Sequence, residues 1–281
     1  MGGVSDGQVG VAAMRYTNPM TQSLSWQKTW FFLGDDVQYV MIANISSATD
    51  APVFSVLDQR LFSGPEVFVD DGVVTSGGNF SDAQTLWHGN VGYEFQGTSG
   101  AYELSVDWGD KTGDWSSTGI WTGQDTVDLF AAWLHHKDVS APISYTAYPA
   151  VDFDAFNLKR TLTRLTEIQN NASVSALLDE NCNTVFGVFW DPSGGSFTFT
   201  DILYGTMSIE SSANAAFIYR MDSGNLTVAD PSQTLSKLTF TISVEDGPGP
   251  CAWGGENSVT MYFDMPANGS AGSSISQVLE F

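Results

Sequence analysis

Basic residues are scarce in this sequence. Only 10 of its 281 residues are Lys or Arg, against 32 Asp and Glu, and the formal net charge is −22. Proteins that bind nucleic acid cluster Lys and Arg to neutralise phosphates, and no such cluster occurs here. The sequence also lacks a run of 18 apolar residues, which a membrane-spanning helix needs. Composition therefore argues against both nucleic acid and a membrane as partners.

Cysteine is scarce as well. Cys182 and Cys251 are the only two, and they either form one disulfide or remain two buried thiols. Residues 1–6 lack the apolar core of a signal peptide, so we expect either a mature chain or a piece of a longer one. Five glycosylation sequons favour an extracellular, secreted protein. They begin at Asn44, Asn79, Asn171, Asn225 and Asn268.

The abundant residues point to β structure. Hydrophobic residues make up 42% of the chain and aromatic residues 13%, whereas charged residues make up only 15%. The 28 glycines supply many turns, as is typical of an all-β protein. A chain of this length buries roughly three quarters of its unfolded surface and forms one large or two modest domains.

One stretch, residues 28–60, carries three strand-like runs separated by turn residues. Gly34-Asp35-Asp36 separates the first two, because Gly tolerates positive φ and Asp bonds its own backbone. The runs are rich in aromatic and β-branched residues, so the pattern predicts an antiparallel meander.

The remaining chain reads as strands with one exception. Asp152 is a possible N-cap, and Phe153 and Phe156 fall on one face, so residues 152–164 are predicted to form a short helix. This helix divides the predicted domains, a larger one at 1–164 and a smaller one at 165–281. The other predicted elements are loops at 2–7 and 75–82, a turn at Gly64-Pro65, a turn-rich segment at 109–126 and a last strand at Ser276–Phe281.

Six short motifs occur in a recognisable order. They are Gly2-Gly3-Val4-Ser5-Asp6-Gly7, Lys28-Thr29-Trp30-Phe31-Phe32, Asp58-Gln59-Arg60, Trp87-His88-Gly89-Asn90-Val91-Gly92-Tyr93, Tyr145-Thr146-Ala147-Tyr148-Pro149 and Asp230-Pro231-Ser232. In this order the chain resembles the central and C-terminal β-domains of polysaccharide lyase family 8, the hyaluronate, chondroitin AC and xanthan lyases.

The resemblance implies an all-β fold: a large antiparallel supersandwich of the galactose-mutarotase-like kind, followed by a smaller C-terminal β-sandwich. In the family, the residues that abstract the C5 proton of the uronate lie on an α/α toroid that precedes the first motif. No position here matches those residues. We therefore assign no catalytic residue, and we expect a sequence without the toroid.

A carbohydrate site is one interpretation of the turn-rich segment. Sugars stack on aromatic faces while Asp, Asn and Gln hold their hydroxyls, so Trp115, Trp121, Asp114 and Gln124 are candidate ligands. The alternative is that these tryptophans pack onto the sheet. His88 is a further candidate, as a sugar ligand or base, against a structural role at a sheet edge.

Other polar residues have weaker claims. Adjacent strand residues point to opposite faces, so His135 and His136 cannot chelate one metal. Asp107, Asp110 and Asp114 match no dedicated calcium loop. No metal and no cofactor are predicted.

Glu94 and Glu103 could act as an acid and base pair, but only on adjacent strands in register.

Three functions remain open from the sequence. One is a noncatalytic β region that binds carbohydrate or serves as a scaffold, for a separate toroid chain or in self-association. The others are a subunit or fragment of an active lyase acting by β-elimination, and a secreted lectin-like protein. The negative charge disfavours anionic uronate polymers and favours a neutral glycan, or a toroid partner that supplies a positive cleft.

Overall fold

The structure, a computed structural model, describes residues 1–62, 64 and 66–279. This part of the chain contains 23 strands and one α-helix, which confirms the all-β fold class. Pro65 of the predicted turn and the last two residues of the predicted strand Ser276–Phe281 lie outside the described residues. The elements are β1 Gly2–Ser5, β2 Gly10–Thr17, β3 Leu24–Phe32, β4 Gln38–Ser47, β5 Val53–Leu61, β6 Val67–Val69, β7 Gly72–Val74, β8 Gly78–Ser81, β9 Thr85–His88, β10 Val91–Gly97, β11 Tyr102–Asp114, β12 Gln124–His136, β13 Ile143–Pro149, α1 Phe153–Leu162, β14 Leu165–Asn170, β15 Val174–Asp179, β16 Thr184–Phe189, β17 Gly195–Asp201, β18 Gly205–Ser211, β19 Ala215–Arg220, β20 Asn225–Ala229, β21 Lys237–Asp246, β22 Ser258–Asp264 and β23 Ile275–Val278.

The chain divides into two compact units. Unit 1 comprises Met1–Ser46 together with the chain from Thr161 onward, and unit 2 comprises Ser47–Arg160. The boundary between domains 1–164 and 165–281 stays a prediction.

Unit 1 contains the smaller C-terminal sandwich. One sheet has the strand order β14-β15-β16-β19-β20-β23 and the other has β17-β18-β21-β22, all antiparallel where paired. Their inner faces share an aromatic cluster, in which the rings of Phe217 and Phe240 lie 5.4 Å apart. Both side chains are fully buried, and each such burial contributes about 1.5–3 kcal/mol.

The loop predicted at residues 2–7 is wrong for its first four residues, which form a strand. Gly2–Ser5 forms β1, an edge strand paired with β2 in the order β1-β2-β3-β4. A Cβ on Gly3 would lie 2.2 Å from the carbonyl oxygen of Val11. Gly2 and Gly3 are there because the backbones approach closely, whereas Gly7, with φ of 90°, lies in the turn that follows β1.

Unit 2 has strands in the orders β13-β10-β9-β6-β7 and β5-β12-β11-β8. The meander predicted for residues 28–60 is therefore wrong at its third run. β3 and β4 are neighbours, but β5 lies beside β12, where Leu61 faces Leu129 and Val53 faces His136. The position of β5 depends on its long-range pairing with β12, and the turn residues beside β5 carry no information on that pairing.

The one predicted helix is confirmed as α1, with Asp152 Oδ1 accepting from Ala155 N at 2.7 Å. Phe156 is its one buried residue, and its ring lies 5.5 Å from that of Tyr148. A Cβ on Gly92 of β10 would lie only 2.2 Å from that ring. Gly92 thus provides the space into which Phe156 packs.

Two predicted irregular segments contain strands. Gly78–Ser81 of the loop predicted at 75–82 forms β8, which pairs with β11. The turn-rich segment predicted at 109–126 is largely a ribbon, because β11 and β12 stay in register from Tyr102 opposite His136 to Asp114 opposite Gln124. Only residues 115–123 connect the strands.

Candidate carbohydrate site

The tip of the β11–β12 hairpin carries two exposed tryptophans. Trp115 is 52% exposed and Trp121 is 75% exposed, so neither packs onto the sheet. They line an open groove of about 460 Å³. The other lining residues are Thr122, Gly123, Gln124 and Asp125.

Trp115 has a fixed orientation. Its Nε1 donates to Asp125 Oδ2 at 2.5 Å, and its backbone N donates to the carbonyl oxygen of Gly123 at 3.0 Å. The first bond fixes the indole, and the second fixes the backbone of Trp115. A ring held in this way loses little conformational freedom when a ligand stacks on it.

Asp114 caps the turn beside the groove and does not line it. Its Oδ1 accepts from Ser116 N at 2.9 Å and from Ser116 Oγ at 2.7 Å. These bonds from Ser116, helped by one from Gln124, lower the pKa of Asp114. Its role is to shape the turn and to keep a negative charge next to the groove.

His88 lies apart from the groove, at the end of β9, and is only 2% exposed. Its Nδ1 is 3.0 Å from the carbonyl oxygen of Glu66, and Phe62 stacks on its ring at 5.0 Å. Arg60 donates to the carbonyl oxygen of His88 at 2.6 Å and pairs with Asp58 at 2.9 Å. Burial lowers the pKa of His88. The motifs Asp58-Gln59-Arg60 and Trp87–Tyr93 therefore meet in one polar cluster.

The other polar candidates are separated. Glu94 accepts from Tyr148 at 3.2 Å, whereas Glu103 pairs with Lys137 at 2.9 Å. Their strands, β10 and β11, belong to different sheets, so the proposed acid and base pair is wrong.

The histidine pair also has separate surroundings. Ser55 Oγ lies 2.8 Å from Nε2 of the buried His136, whereas the ring of His135 lies 5.0 Å from that of Phe54. Among the residues that the structure describes, no three His, Cys, Asp or Glu side chains come together as a metal site.

The two cysteines are free thiols in the structure. Cys182 Sγ donates to Asp179 Oδ2 at 2.8 Å, and burial raises the pKa of this thiol to about 12. Asn183 bonds Asp222, which also accepts from Tyr204.

Sequence reasoning found both tryptophans and Gln124, but it missed Thr122, Gly123 and Asp125. The available signal was Asp125 itself, which directly follows Gln124 in the sequence. The role of Asp125 in the groove could not be read from the sequence, because it depends on the strand register that brings the Asp125 carboxylate to the indole of Trp115.

The fold defines a class: proteins in which a supersandwich domain is followed in the chain by a second β-sandwich domain. The profile of the polysaccharide lyase family 8 super-sandwich domain matches residues 1–160. The profile of the family's C-terminal β-sandwich domain matches residues 168–239. The chain belongs to polysaccharide lyase family 8.

Solved structures share this fold. A chondroitinase AC lyase studied in enzyme–oligosaccharide complexes superposes with a TM-score of 0.80 at 23% identity, covering 98% of this chain and 39% of that one. A Paenibacillus xanthan lyase gives a TM-score of 0.77 at 15% identity, covering 98% and 28%. The Streptomyces coelicolor A3 chondroitin AC lyase in complex with chondroitin sulphate gives 0.67 at 21%, covering 98% and 35%.

This chain therefore spans less than two fifths of the length of each of these structures. No protein with a curated description matches it. The described residues contain one ten-residue helix and no α/α toroid. They also include no helix that is both long and apolar enough to span a membrane.

Proposed function

We propose that this chain is a noncatalytic β region that binds carbohydrate at the tip of the β11–β12 hairpin. The observation that carries the proposal is the pair Trp115 and Trp121, both exposed beside one groove. An exposed aromatic face beside Gln124 and Asp125 offers stacking to a sugar ring and hydrogen bonds to its hydroxyls.

The charge of unit 2 argues against an anionic polymer at this site. Residues 47–160 contain 16 Asp and Glu but only 5 Lys and Arg. Four of the five basic side chains, Arg60, Lys111, Lys137 and Arg160, already form ion pairs. A uronate or sulfate group would meet net repulsion, screened only beyond about 8 Å at physiological salt.

The test is oligosaccharide binding by isothermal titration calorimetry after a glycan array. We expect Trp121→Ala to weaken binding about tenfold, or about 1.4 kcal/mol, which is within the range of one aromatic contact. Tyr262→Ala is the matched control, since Tyr262 is 73% exposed beside a different groove in unit 1. Loss of binding in the control alone would place the site in unit 1.

A second candidate is a subunit or fragment of an active lyase, completed by a separate toroid chain. Family membership and the small share of the relatives' length support this candidate. We expect no unsaturated uronate from hyaluronan, chondroitin or xanthan when the chain is incubated alone. A rise in product absorbance would establish the lyase and overturn the noncatalytic proposal.

We also propose an extracellular location, in which the chain acts as a lectin-like protein. The sequons at Asn44, Asn79, Asn171 and Asn268 are exposed and Asn225 is half-buried, which supports this location. We also propose the domain boundary near residue 164 that the sequence predicts, and limited proteolysis tests it.

A further inference from the structure

The β11–β12 hairpin extends beyond its sheet as a two-stranded ribbon. β8 pairs with β11 only at residues 103–106, and β5 pairs with β12 only as far as Leu129. Beyond these points, residues 110–114 and 124–128 pair with each other and are exposed along their whole length. Phe62, which follows β5, still donates its backbone N to the carbonyl oxygen of Asp128 at 2.9 Å, but the side chains of the ribbon are exposed.

One face of the ribbon carries an unfavourable pair. Asp110 lies directly opposite Asp128 in the register. Like charges directly opposite each other in a sheet destabilise it. Two residues further, Thr112 and Thr126 bond through their hydroxyls at 2.7 Å, and two further still, Asp114 faces Gln124. The alternation of strand side chains places these three pairs on one face.

Nothing on the ribbon offsets this charge. Lys111 is the only basic residue between positions 107 and 128. Its Nζ lies 2.6 Å from Asp107 Oδ2, and strand alternation puts both on the face opposite Asp110. The acidic face runs from Asp110 and Asp128 to Asp114 and Gln124, a length of about 14 Å for four residues at about 3.4 Å each. It meets the groove at Gln124, whereas Asp125, which holds the indole of Trp115, lies on the opposite face.

We infer that the groove and this acidic face together bind an oligosaccharide of cationic 2-amino sugars. One sugar ring stacks on Trp121 in the groove, while ammonium groups of the following sugars lie between Asp110 and Asp128. A cation there turns the repulsion of the two carboxylates into attraction. This inference rests on the proposed function, and it adds the charge class of the ligand.

Other cations fit the observations less well. The described residues contain no group of three His, Cys, Asp or Glu that would hold a metal ion. A basic peptide would satisfy the carboxylates, but it does not account for two exposed indoles beside a groove. An oligosaccharide of amino sugars uses both features.

The experiment compares a glucosamine hexamer with its N-acetylated, neutral counterpart by calorimetry. At low ionic strength we expect the glucosamine hexamer to bind at least about tenfold more tightly, and its advantage to fall with added salt. The double variant Asp110→Asn/Asp128→Asn should lose that advantage while its affinity for the neutral hexamer stays unchanged. The matched control is Asp50→Asn/Asp154→Asn, which removes two exposed carboxylates of unit 2 elsewhere.

The outcomes separate the two proposals. If both hexamers bind equally and Trp121→Ala weakens both, the proposed function stands and this inference is overturned. If neither hexamer nor any other glycan binds, the proposed function itself fails. Equal loss in the two double variants would assign the effect to net charge and overturn the inference. Hexalysine binding more tightly than the glucosamine hexamer would overturn it in favour of a basic peptide. Circular dichroism of each variant establishes that it is folded.

Discussion

Gly92→Ala should destabilise unit 2 through one steric contact. The new Cβ would lie 2.2 Å from Cδ2, 2.5 Å from Cε2 and 2.6 Å from Cγ of Phe156. Carbon atoms pack best at about 3.5–4.0 Å, so the ring would have to move by more than about 1 Å. Phe156 is fully buried against Tyr148, which leaves it no free space.

The expected loss is about 1–3 kcal/mol in the free energy of unfolding, the usual cost of overpacking. Backbone strain does not contribute, because φ of Gly92 is not in the left-handed region. Urea denaturation followed by circular dichroism measures the change. Gly113→Ala is the matched control: Gly113 is also a strand glycine, but no heavy atom lies within 4 Å of the place its new Cβ would take, so its effect should stay within about 0.5 kcal/mol.

A double-mutant cycle tests the steric cause. Phe156→Ala alone should cost about 3–5 kcal/mol and leave a cavity. In that background Gly92→Ala should cost nothing further, because its methyl group enters the vacated space. Additive losses, or a Gly92→Ala variant as stable as the original chain, would refute this account of the contact.

Three further outcomes follow from shifted pKa values. Burial lowers the pKa of His88, so the folded state favours its neutral form and stability falls as the pH drops below about 6.5; urea titrations of His88→Gln should lack this component. Burial alone would raise the pKa of Asp230, but bonds from Ser232 and from neighbouring backbone groups lower it. The ionised carboxylate therefore stabilises the folded state at pH values above the ordinary carboxyl pKa, and this stabilisation is lost as the pH falls through the pKa of Asp230 in the folded state. Asp230→Asn should cost about 1.5–3 kcal/mol in urea at neutral pH, and an unchanged midpoint would contradict this. Burial raises the pKa of Cys182 to about 12, so its thiol should react slowly with a disulfide reagent at about pH 8, and equal rates for Cys182 and Cys251 would contradict this.

The fold class could be predicted from the sequence, because it depends on local residue patterns. Alternating aromatic and β-branched residues, many glycines and a single capped helix predict an all-β chain, and the motif order predicts its family. Asp152 and Phe156 were assigned correctly for the same reason, since capping and helix periodicity act within a few residues. The sequence left open whether Trp115 and Trp121 are exposed or packed on the sheet, and the structure shows both exposed.

Pairings between distant residues were decided only by the tertiary structure. Turn residues predicted β5 as the third strand of a meander, yet it pairs with β12 about 75 residues away. Glu94 and Glu103 looked like possible partners, but the sheets separate their strands. Local sequence carries no information on which strand a given strand will meet.

The sequence by itself determined what this chain is made of: an acidic, all-β member of a polysaccharide lyase family with few basic side chains. The tertiary structure decided what those residues do. Register set Asp110 opposite Asp128 and brought Asp125 to Trp115, whereas packing enclosed His88 between aromatic rings. Side-chain chemistry is local, but the meeting of side chains depends on long-range strand pairing, and that is the physical reason for the division.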